Sequence, residues 1–364
     1  MIIGLAREIK KEEYRVGLTP GSAREYLQAG HTVLVEKGAG EGSGFGDTDY
    51  ANAGCDLRDR ETVFGKAEMV IKVKEPLDAE YDLLREGQIL YTYLHLAANR
   101  PLTEVLLARG VSGVAYETVM EDDRSLPLLR PMSEIAGRLS VQEGAKYLEK
   151  TYGGEGVLLG GVPGIPRGKV VILGGGTVGT NACKIAVGIG AEVTILDLSA
   201  QRLAYLDDIF GGRITTLYSN EANIEESLRE ADVVIGAVLI PGAAAPKLVR
   251  REHLTIMKKG AVIVDVAVDQ GGCCETTKAT YHSDPIFMVD GVVHYCVANM
   301  PGAVSLSSTR ALTSVTNRYG LLIANEGIEA AAAQSAAIRG GLNTHHGKLT
   351  NAAVAEAMQA GEDG

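Results

Sequence analysis

Four ionisable residues follow predicted strands, and their types suit anion binding and proton transfer. Arg15 and Lys74 are cationic, and His95 can exchange a proton near neutral pH. Open parallel sheets bind ligands outside the carboxyl ends of their strands, so these three residues could converge on one site. Asp269, just past a later strand, is positioned for proton transfer, whereas its neighbour Asp265 could be structural. Taken singly, each of these side chains could also be solvated or purely structural.

A glycine-rich turn between a strand and a helix indicates a dinucleotide-binding site. It lies between the apolar run 170–173 and a helical segment, and its sequence is Gly174-Gly175-Gly176-Thr177-Val178-Gly179. Gly174 allows the tight turn, Gly176 lets the backbone approach a pyrophosphate, and Gly179 lets the helix pack closely on the strand. The helix start, with Val178, would present N–H groups and its positive dipole end to the phosphates. The alternative is a doubly wound sheet whose glycines serve packing alone.

Asp197, at the tip of the next strand, predicts NAD as the cofactor. A carboxylate there accepts hydrogen bonds from the adenosine ribose hydroxyls and repels a 2′-phosphate, which favours NAD over NADP. Arg202 weakens that preference, because a guanidinium can tolerate phosphate. The loop at 237–246, which includes Val238 and Leu239, is expected to pass near the cofactor.

The alternation of short apolar strands with helical patterns predicts an α/β fold with two doubly wound domains. The chain has 364 residues, more than the ~250 to 300 at which one core usually stops growing. We place a substrate domain at 1–130 and a Rossmann NAD-binding domain at 131–304. The alanine-rich helical segments in 305–364 are expected to return to the first domain.

Several local features are also expected from the sequence. The glycine-rich stretch 38–46 has no G-x-G-x-x-G pattern and no long helix after it, which favours a flexible surface loop. One helix is predicted to end near Lys259, and a single helix is predicted over 328–339. The pair His345-His346 lies among Asn, Thr and Gly, so a surface turn is favoured over a metal site, and no metal is predicted.

Charge and cysteine usage narrow the functional class. The formal net charge of −11 argues against nucleic acid and anionic membranes as partners. The chain has no run of 18 apolar residues and begins with no secretory signal, so a cytoplasmic protein with a small-molecule substrate is expected. The five cysteines are odd in number and show no paired C-x-x-C spacing, which disfavours zinc ribbons and disulfides.

Motifs spread over nearly the whole chain carry a resemblance to a known family. They are Arg7-Glu8-Ile9-Lys10, Glu13-x-Arg15-Val16, Leu18-Thr19-Pro20, Lys72-Val73-Lys74-Glu75-Pro76, Leu94-His95-Leu96, Pro131-Met132-Ser133, the glycine turn, 264–272 and 297–302. Together they resemble the bacterial alanine dehydrogenase family. That resemblance implies a discontinuous substrate domain, made of the N-terminal part and the C-terminal tail, and a homohexamer.

The resemblance also implies an activity, the NAD-dependent and reversible oxidation of L-alanine to pyruvate and ammonium. It implies that Arg15 and Lys74 hold the substrate carboxylate and carbonyl, while His95 and Asp269 do the acid and base chemistry. We favour His95 as the general acid/base, but Asp269 as the base with His95 as a carbonyl donor fits the sequence equally well. The NAD contacts that it implies are Ser133, Asp197, Arg202, Ser219, Lys278, Asn299 and Met300.

Three other functions compete with this one. They are a dehydrogenase of another small amino acid, a transhydrogenase-like nicotinamide-binding subunit, and a catalytically silent NAD-binding regulator. The soluble part of proton-translocating transhydrogenase is similar in pattern, but its position matching Asp269 looks like a glutamate. A transhydrogenase subunit would also have no small substrate for Arg15, Lys74 and His95 to bind. A regulator that only senses NAD would need the nucleotide-binding half alone. The sequence therefore favours the amino-acid dehydrogenase.

Overall fold

The computed structural model describes residues 1–238 and 245–360, and the chain divides into two compact units. Unit 1 consists of Met1–Met132 and Val304–Gly364, whereas unit 2 is the continuous segment Ser133–Ala303. Each unit is built around a mainly parallel β-sheet that alternates with α-helices along the chain. The predicted α/β class with two doubly wound domains is therefore confirmed.

The regular elements of the described residues are numbered in chain order. The strands are β1 (Ile2–Leu5), β2 (Thr32–Glu36), β3 (Asp56–Arg58), β4 (Met69–Ile71), β5 (Ile89–Thr92), β6 (Ser112–Ala115), β7 (Lys169–Leu173), β8 (Glu192–Asp197), β9 (Thr215–Tyr218), β10 (Val233–Gly236), β11 (Val262–Asp265), β12 (Ile286–Val289), β13 (Val292–Tyr295), β14 (Leu342–His345) and β15 (Lys348–Leu349). The α-helices are α1 (Pro20–Gln28), α2 (Asp47–Ala53), α3 (Arg60–Lys66), α4 (Asp78–Tyr81), α5 (Arg100–Ala108), α6 (Arg130–Tyr147), α7 (Thr177–Ile189), α8 (Ala200–Phe210), α9 (Glu221–Glu230), α10 (Ser305–Glu326), α11 (Ile328–Gln334), α12 (Ala336–Gly341) and α13 (Ala352–Ala360). None of these helices is long and apolar enough to cross a membrane.

In unit 1 the strands lie in the order β15-β14-β6-β5-β4-β1-β2-β3. Strands β1 to β6 pair in parallel, β14 is antiparallel to β6, and β15 is antiparallel to β14. The strand order reverses between β1 and β4, which pair directly through Ile3–Leu5 and Met69–Ile71. The loops after these two strands therefore lie at the switch point where doubly wound sheets bind ligands.

Close helix packing joins the C-terminal part of the chain to this sheet. The hydroxyl of Tyr91 on β5 donates to the carbonyl of Thr316 on α10 at 2.9 Å. A Cβ added to Gly320 would lie 2.1 Å from the Tyr26 hydroxyl on α1, so the helix can approach this closely only with glycine there. Helix α1 itself starts at Pro20, and the Thr19 side chain caps it by accepting from the Ser22 N–H at 3.1 Å.

In unit 2 the strands lie in the order β12-β13-β11-β10-β7-β8-β9. All neighbours are parallel except β12 and β13, which are antiparallel. Here the order reverses between β7 and β10, and the loops after those strands form the second switch point. The sheet core is apolar, and its buried members include Val171, Leu173, Leu196, Leu228, Val234 and Ile263.

Two helix predictions are wrong in length. The segment expected to form a helix ending near Lys259 contains only the 3₁₀ helix Arg251–Thr255. The single helix expected over 328–339 is two helices, α11 and α12, separated at Ser335. Ser335 has an extended backbone, and its side chain accepts from the Ile338 N–H at 3.2 Å, so it ends one helix and caps the next.

The stretch 38–46 is a packed segment rather than a flexible surface loop. It contains the 3₁₀ helix Glu41–Ser43, and Ala39, Gly40 and Ser43 are buried. A Cβ at Gly40 would lie 2.7 Å from the Tyr50 ring and from the Phe45 carbonyl oxygen. Close packing therefore requires glycine at Gly40, which the composition of the stretch alone did not reveal.

Candidate active site

Arg15 lies in the loop after β1 and is buried in an ion pair with Glu13. Only 2% of Arg15 and 6% of Glu13 is exposed, so both charges are removed from water. Arg15 Nε and Nη2 donate to the two Glu13 carboxylate oxygens at 2.7 and 2.6 Å. Burial alone would raise the pKa of Glu13, but the Arg15 guanidinium outweighs burial and lowers this pKa to about 2. Glu13 thus stays ionised and fixes the plane of the guanidinium.

Lys74 follows β4 and adds a second positive charge close to Arg15. Its pKa is lowered, first by burial and then by the positive charges of Arg15 and Lys10, although Glu13 and Glu75 act in the opposite direction. Within 1–238 and 245–360, the Lys74 ammonium makes no hydrogen bond or ion pair. A partly buried cation of this kind, beside other cations, favours an anionic ligand.

A buried ion network holds the loop that carries Lys74. The fully buried ammonium of Lys72 lies 3.2 Å from a Glu8 carboxylate oxygen and 2.9 Å from one of Glu80. The other Glu8 oxygen accepts from the backbone N–H groups of Val73 and Lys74 at 2.6 and 3.2 Å. Glu8 belongs to the loop after β1, so it ties that loop to the one after β4 at the switch point.

His95 follows β5, and a carboxylate clamp fixes its backbone. Its N–H donates to Glu117 Oε1 at 2.6 Å, and the backbone has φ 50, a left-handed conformation that is rare outside glycine. The imidazole is exposed, lies 6.0 Å from the Tyr93 ring, centroid to centroid, and stacks on it. Backbone strain at an exposed histidine is typical of a functional position.

Glu75 connects His95 to Lys10. His95 Nδ1 lies 3.3 Å from Glu75 Oε2, and the other Glu75 oxygen pairs with the Lys10 ammonium. Burial alone would raise the pKa of Glu75, but hydrogen bonds with His95 and Lys10 outweigh burial and lower this pKa to about 2. Because Nδ1 faces a carboxylate, Nε2 is the ring nitrogen that can exchange a proton with a ligand.

The structure thus brings Arg15, Lys74 and His95 together at the carboxyl ends of β1, β4 and β5. Electrostatic contacts connect Lys74 to Arg15 and Glu75, and Glu75 contacts His95 directly. The group combines two cations with one ionisable ring. These charges suit the binding of a small carboxylate, and the ring suits proton transfer.

The glycine turn of unit 2 has the geometry of a phosphate cradle. It follows β7 and leads into α7, whose N-cap residue is Gly176. Gly174 has φ 102, and a Cβ there would lie 2.8 Å from the Ala237 carbonyl oxygen. At Gly179 a Cβ would lie 1.9 Å from the Gly174 carbonyl oxygen, whereas at Gly176 no described atom lies within 4 Å of one. Gly179 therefore serves packing, and Gly176 leaves room for a ligand.

Gly176→Ala and Gly179→Ala are expected to separate ligand binding from folding. Gly176→Ala should leave the melting temperature within a few degrees of the unaltered protein and weaken dinucleotide binding at least tenfold, because the methyl group occupies ligand space. Gly179→Ala should cost roughly 1 to 3 kcal/mol of stability or more, because the methyl group meets backbone. Thermal melts and dinucleotide titrations of both variants check this, and equal effects in the two would contradict it.

Asp197 and Arg202 fix the glycine turn through hydrogen bonds to its backbone and to Thr180. Asp197 Oδ2 accepts from the Gly175 N–H at 2.7 Å, and Asp197 Oδ1 accepts from the Ser199 N–H at 2.8 Å. Arg202 Nε donates to the Gly175 carbonyl at 2.5 Å, and Arg202 Nη2 donates to the Thr180 hydroxyl at 2.6 Å. The guanidinium is thus engaged within the turn itself, which weakens its predicted role in tolerating a 2′-phosphate.

Several of the remaining cofactor predictions fall on loops at one edge of the sheet. Val238 follows β10 and its side chain lies 3.1 Å from the position of a Gly174 Cβ. Ser219 follows β9 and donates its N–H to the Asp197 carbonyl at 3.0 Å. Asn299 follows β13 with φ 63, next to the buried Met300. Leu239 lies outside the described residues.

Ser133 and Lys278, two further predicted cofactor contacts, do not directly follow a strand of the sheet. Ser133 lies in α6, one turn before Gly137, where a Cβ would be 2.2 Å from the Val178 carbonyl oxygen. That close approach puts the start of α6 beside the start of α7. Lys278 is exposed in the segment between β11 and β12, away from a strand end.

The two candidate carboxylates, one at the end of β11 and one just after it, differ in environment. Asp265 is fully buried, and it accepts from the N–H groups of Ala267 and Cys274 at 3.1 and 3.2 Å and from the Thr277 hydroxyl. Asp269 is exposed on the 3₁₀ helix Val266–Gln270. Asp265 therefore has a structural role, and Asp269 is the carboxylate available to a ligand.

Comparisons with known proteins match this arrangement. Family models described as alanine dehydrogenase/PNT, N-terminal and C-terminal domain, match residues 4–136 and 140–352. An alanine dehydrogenase of Methanococcus maripaludis is 57% identical over 98% of this chain and 96% of that protein. Alanine dehydrogenase 2 of Staphylococcus aureus is 55% identical over 99% of this chain and 97% of its own.

The chain belongs to the alanine dehydrogenase/PNT family.

Solved structures of the alanine dehydrogenase/PNT type agree with the fold. A structure described as L-alanine dehydrogenase has a TM-score of 0.96 at 54% identity and covers 99% of both chains. A transhydrogenase of Sinorhizobium meliloti has a TM-score of 0.84 at 25% identity and covers 97% of this chain and 100% of that one. The family expected from the sequence motifs and the expected class of enzyme, an oxidoreductase with a nucleotide-binding domain, are confirmed.

Sequence reasoning missed the carboxylates that position the candidate groups. Glu13, Glu75 and Glu117 lie beside Arg15 and His95, yet no role was predicted for any of them. Two of them stand next to a predicted residue in the chain, in Glu13-x-Arg15 and Lys74-Glu75. An acid so close to a cation was an available signal, whereas Glu117 comes near His95 only through the pairing of β5 with β6.

Proposed function

We propose that the protein catalyses the reversible oxidative deamination of L-alanine, in which alanine, NAD and water give pyruvate, ammonium, NADH and a proton. The observation that carries this proposal is the grouping of Arg15, Lys74 and His95 at one switch point, where a small carboxylate can bind beside a side chain suited to proton transfer. The similarity over nearly the full length to proteins named alanine dehydrogenase supports it.

In the proposed reaction the substrate carboxylate binds the Arg15 guanidinium, which Glu13 holds through Nε and Nη2 and whose Nη1 donates to Met132 Sδ at 3.1 Å. Lys74 is placed to stabilise negative charge on the oxygen of the pyruvate carbonyl and of the carbinolamine that precedes it. NAD, when bound, supplies the acceptor for the hydride that leaves Cα. Fixing the carboxylate limits the orientations of Cα and so lowers the entropic part of the barrier.

Proton transfer is assigned to His95 through Nε2. Glu75 holds the ring through Nδ1. Alanine loses one ammonium proton to solvent, and loss of the hydride then gives an iminium. The imidazole takes a proton from the water that adds to the iminium carbon and returns it to the amine. The departing ammonia takes the hydroxyl proton as the carbonyl forms, which gives ammonium. Asp269 is proposed to orient that water. If Asp269 is the base instead, His95 donates a hydrogen bond to the carbonyl oxygen. The contact between Glu75 and His95 Nδ1 would orient the ring for that role as well.

Replacing Glu75 tests whether it acts by holding His95. Glu75→Gln should lower kcat about tenfold, because the amide orients the imidazole through Nδ1 less firmly than the carboxylate does. KM for alanine should change less than twofold. Steady-state rates check this, with Glu104→Gln, an exposed acid on α5, as the control. A loss of kcat accompanied by an equal rise in KM and a lower melting temperature would indicate a structural role only.

Cofactor choice is assigned to Asp197. Asp197→Asn keeps an oxygen that can accept from Gly175 N–H but loses the charge that repels a 2′-phosphate. We expect the NAD to NADP preference in kcat/KM to fall by roughly tenfold to a hundredfold, or about 1.4 to 2.7 kcal/mol, close to the value of a hydrogen bond to a charged group. Equal use of NAD and NADP by the unaltered protein would contradict the assignment.

The function itself is tested by absorbance at 340 nm with NAD and a panel of amino acids, and with NADH, pyruvate and ammonium in reverse. Turnover with L-alanine at least tenfold above serine, glycine and valine is the expected result. Turnover with another amino acid only would assign a different dehydrogenase. Reduction of one nicotinamide by another would assign transhydrogenase chemistry, and binding without turnover would assign a regulator.

The proposal also includes a homohexamer and a cytoplasmic location. The hexamer comes from the family resemblance and the location from composition and charge. Light scattering after size-exclusion chromatography tests the assembly, and a mass near that of a monomer would rule it out.

A further inference from the structure

Two histidines and a glutamate of unit 1 form a cluster that the proposed reaction does not use. His345 ends β14, and His346 with Gly347 makes the two-residue connection to β15. His346 and Gly347 have φ 47 and 72, both left-handed, as a tight hairpin turn requires. Glu329 lies in the first turn of α11. The sequence favoured a surface turn here, and the structure adds a carboxylate from α11.

The three side chains are spaced for a shared cation rather than for hydrogen bonds. Glu329 Oε1 lies 3.6 Å from His345 Nε2 and 3.5 Å from His346 Nε2, and one ligand atom from each residue lies within 4.8 Å of the others. Hydrogen bonds between such atoms would be shorter, at about 2.7 to 3.2 Å. In a tetrahedral zinc site with bonds of about 2.0 to 2.2 Å, neighbouring ligand atoms are roughly 3.3 to 3.6 Å apart.

A second contact orients one ring toward the cluster. His345 Nδ1 lies 2.8 Å from the hydroxyl of Ser112, a buried residue at the start of β6. Metal-binding histidines generally use the other ring nitrogen for such a contact, which fixes the ring and the tautomer.

We propose that Glu329, His345 and His346 bind a divalent cation of the zinc class, with water completing the coordination. Two imidazoles and a carboxylate suit zinc, cobalt and nickel better than calcium or magnesium, which prefer oxygen ligands. The cation connects the β14–β15 hairpin to α11, two segments of the C-terminal part of the chain.

The position of the cluster makes this cation structural. Strand β14 is antiparallel to β6, and His345 contacts Ser112 at the amino end of β6. Arg15, Lys74 and His95 follow the carboxyl ends of their strands, which is the opposite edge of the same sheet. Occupancy should therefore change the stability of the protein and leave its turnover unaffected.

Titration of the untagged full-length protein with zinc chloride, after EDTA treatment and removal of the chelator, tests the site. Calorimetry should give one ion per chain with Kd of about 10 µM or below, and the melting temperature should rise with zinc. Cobalt should give the visible absorption of a four-coordinate site. The described cysteines are all buried, so thiols do not compete for the added ion.

His346→Gln and Glu329→Gln should each weaken zinc binding at least tenfold and abolish the rise in melting temperature. Both residues are exposed, so these variants are expected to fold. The controls are His31→Gln, a histidine elsewhere in unit 1, and Glu326→Gln, an exposed acid three residues before Glu329, and both should bind zinc normally. Binding that is absent, substoichiometric or unchanged in His346→Gln and Glu329→Gln overturns the proposal, whatever substrate the enzyme uses.

Discussion

His95→Asn is expected to lower kcat for alanine oxidation by about 10² to 10⁴, the usual contribution of a positioned general acid or base. Asparagine keeps a polar side chain and tolerates the left-handed backbone at this position, so the loop and its contact with Glu117 should persist. It cannot exchange a proton, however. Single-turnover and steady-state rates measure the loss, and fluorescence titration should show NADH binding within about twofold of the unaltered enzyme.

A matched control separates chemistry from a general effect of losing a histidine. His31→Asn removes an imidazole of the same unit that contacts the chain N-terminus and Asn325. It should keep at least half of the activity. If His95→Asn kept more than about a tenth of kcat, less than ~1.4 kcal/mol of barrier would depend on His95, and the proton transfer would have to be reassigned to Asp269.

The sequence predicted those parts of the fold that local residue types determine. The glycine turn, the strand before it and the acid that ends β8 are defined by conformational demands on neighbouring residues, and all lie where they were expected. The positions of Arg15, Lys74 and His95 after strands also followed from the chain. Because parallel strands end at one edge, placing a residue directly after a strand already narrows its location.

The antiparallel hairpins were missed although their turns had a signal. Asp290-Gly291 joins β12 to β13, and both residues have positive φ, at 51 and 82. An Asp-Gly pair between apolar strands is a strong hairpin signal. The turn His346-Gly347 is the same kind with a less usual first residue. A prediction based on alternating strands and helices passed over both.

Acids close to a cation in the chain were visible in the sequence, but the contacts that they make with the site residues could not be predicted from it. Glu13 and Arg15 are two residues apart in a loop, a spacing that has no default geometry, and only the fold turns both side chains inward. Glu329 lies in α11 and His345 ends β14, with α12 between them. Such contacts depend on packing, which local patterns do not specify.

Arg15→Met is expected to reduce both stability and activity, for different reasons. Activity should fall because the substrate carboxylate loses charged hydrogen bonds, each worth about 1.5 to 3 kcal/mol. We therefore expect kcat/KM for alanine to drop by roughly tenfold to a hundredfold. Stability should fall by about 3 to 5 kcal/mol, because Glu13 is left buried without its partner. Denaturant unfolding and steady-state kinetics measure the two losses independently.

The double variant Glu13→Gln/Arg15→Met separates the loss of stability from the loss of activity. Removing the stranded carboxylate should restore most of the lost stability, whereas kcat/KM should stay at the level of Arg15→Met because the guanidinium is still missing. Recovery of activity together with stability would show that Arg15 acts only through folding. In that case substrate binding would have to be assigned to Lys74 alone.

Acid titration gives an independent test of the same pair. The pKa of Glu13 is lowered to about 2 in the fold from an ordinary 4.5, so its contribution to stability is fully present above pH 4.5 and is lost as the pH falls toward 2. The difference corresponds to about 3 kcal/mol. The unaltered protein should lose that amount over this range, and the double variant should lack this part of the acid dependence. If the unfolding free energy fell equally with decreasing pH in the unaltered protein and the double variant, Glu13 and Arg15 would not be paired in solution. The proposed orientation of the guanidinium would then have no support.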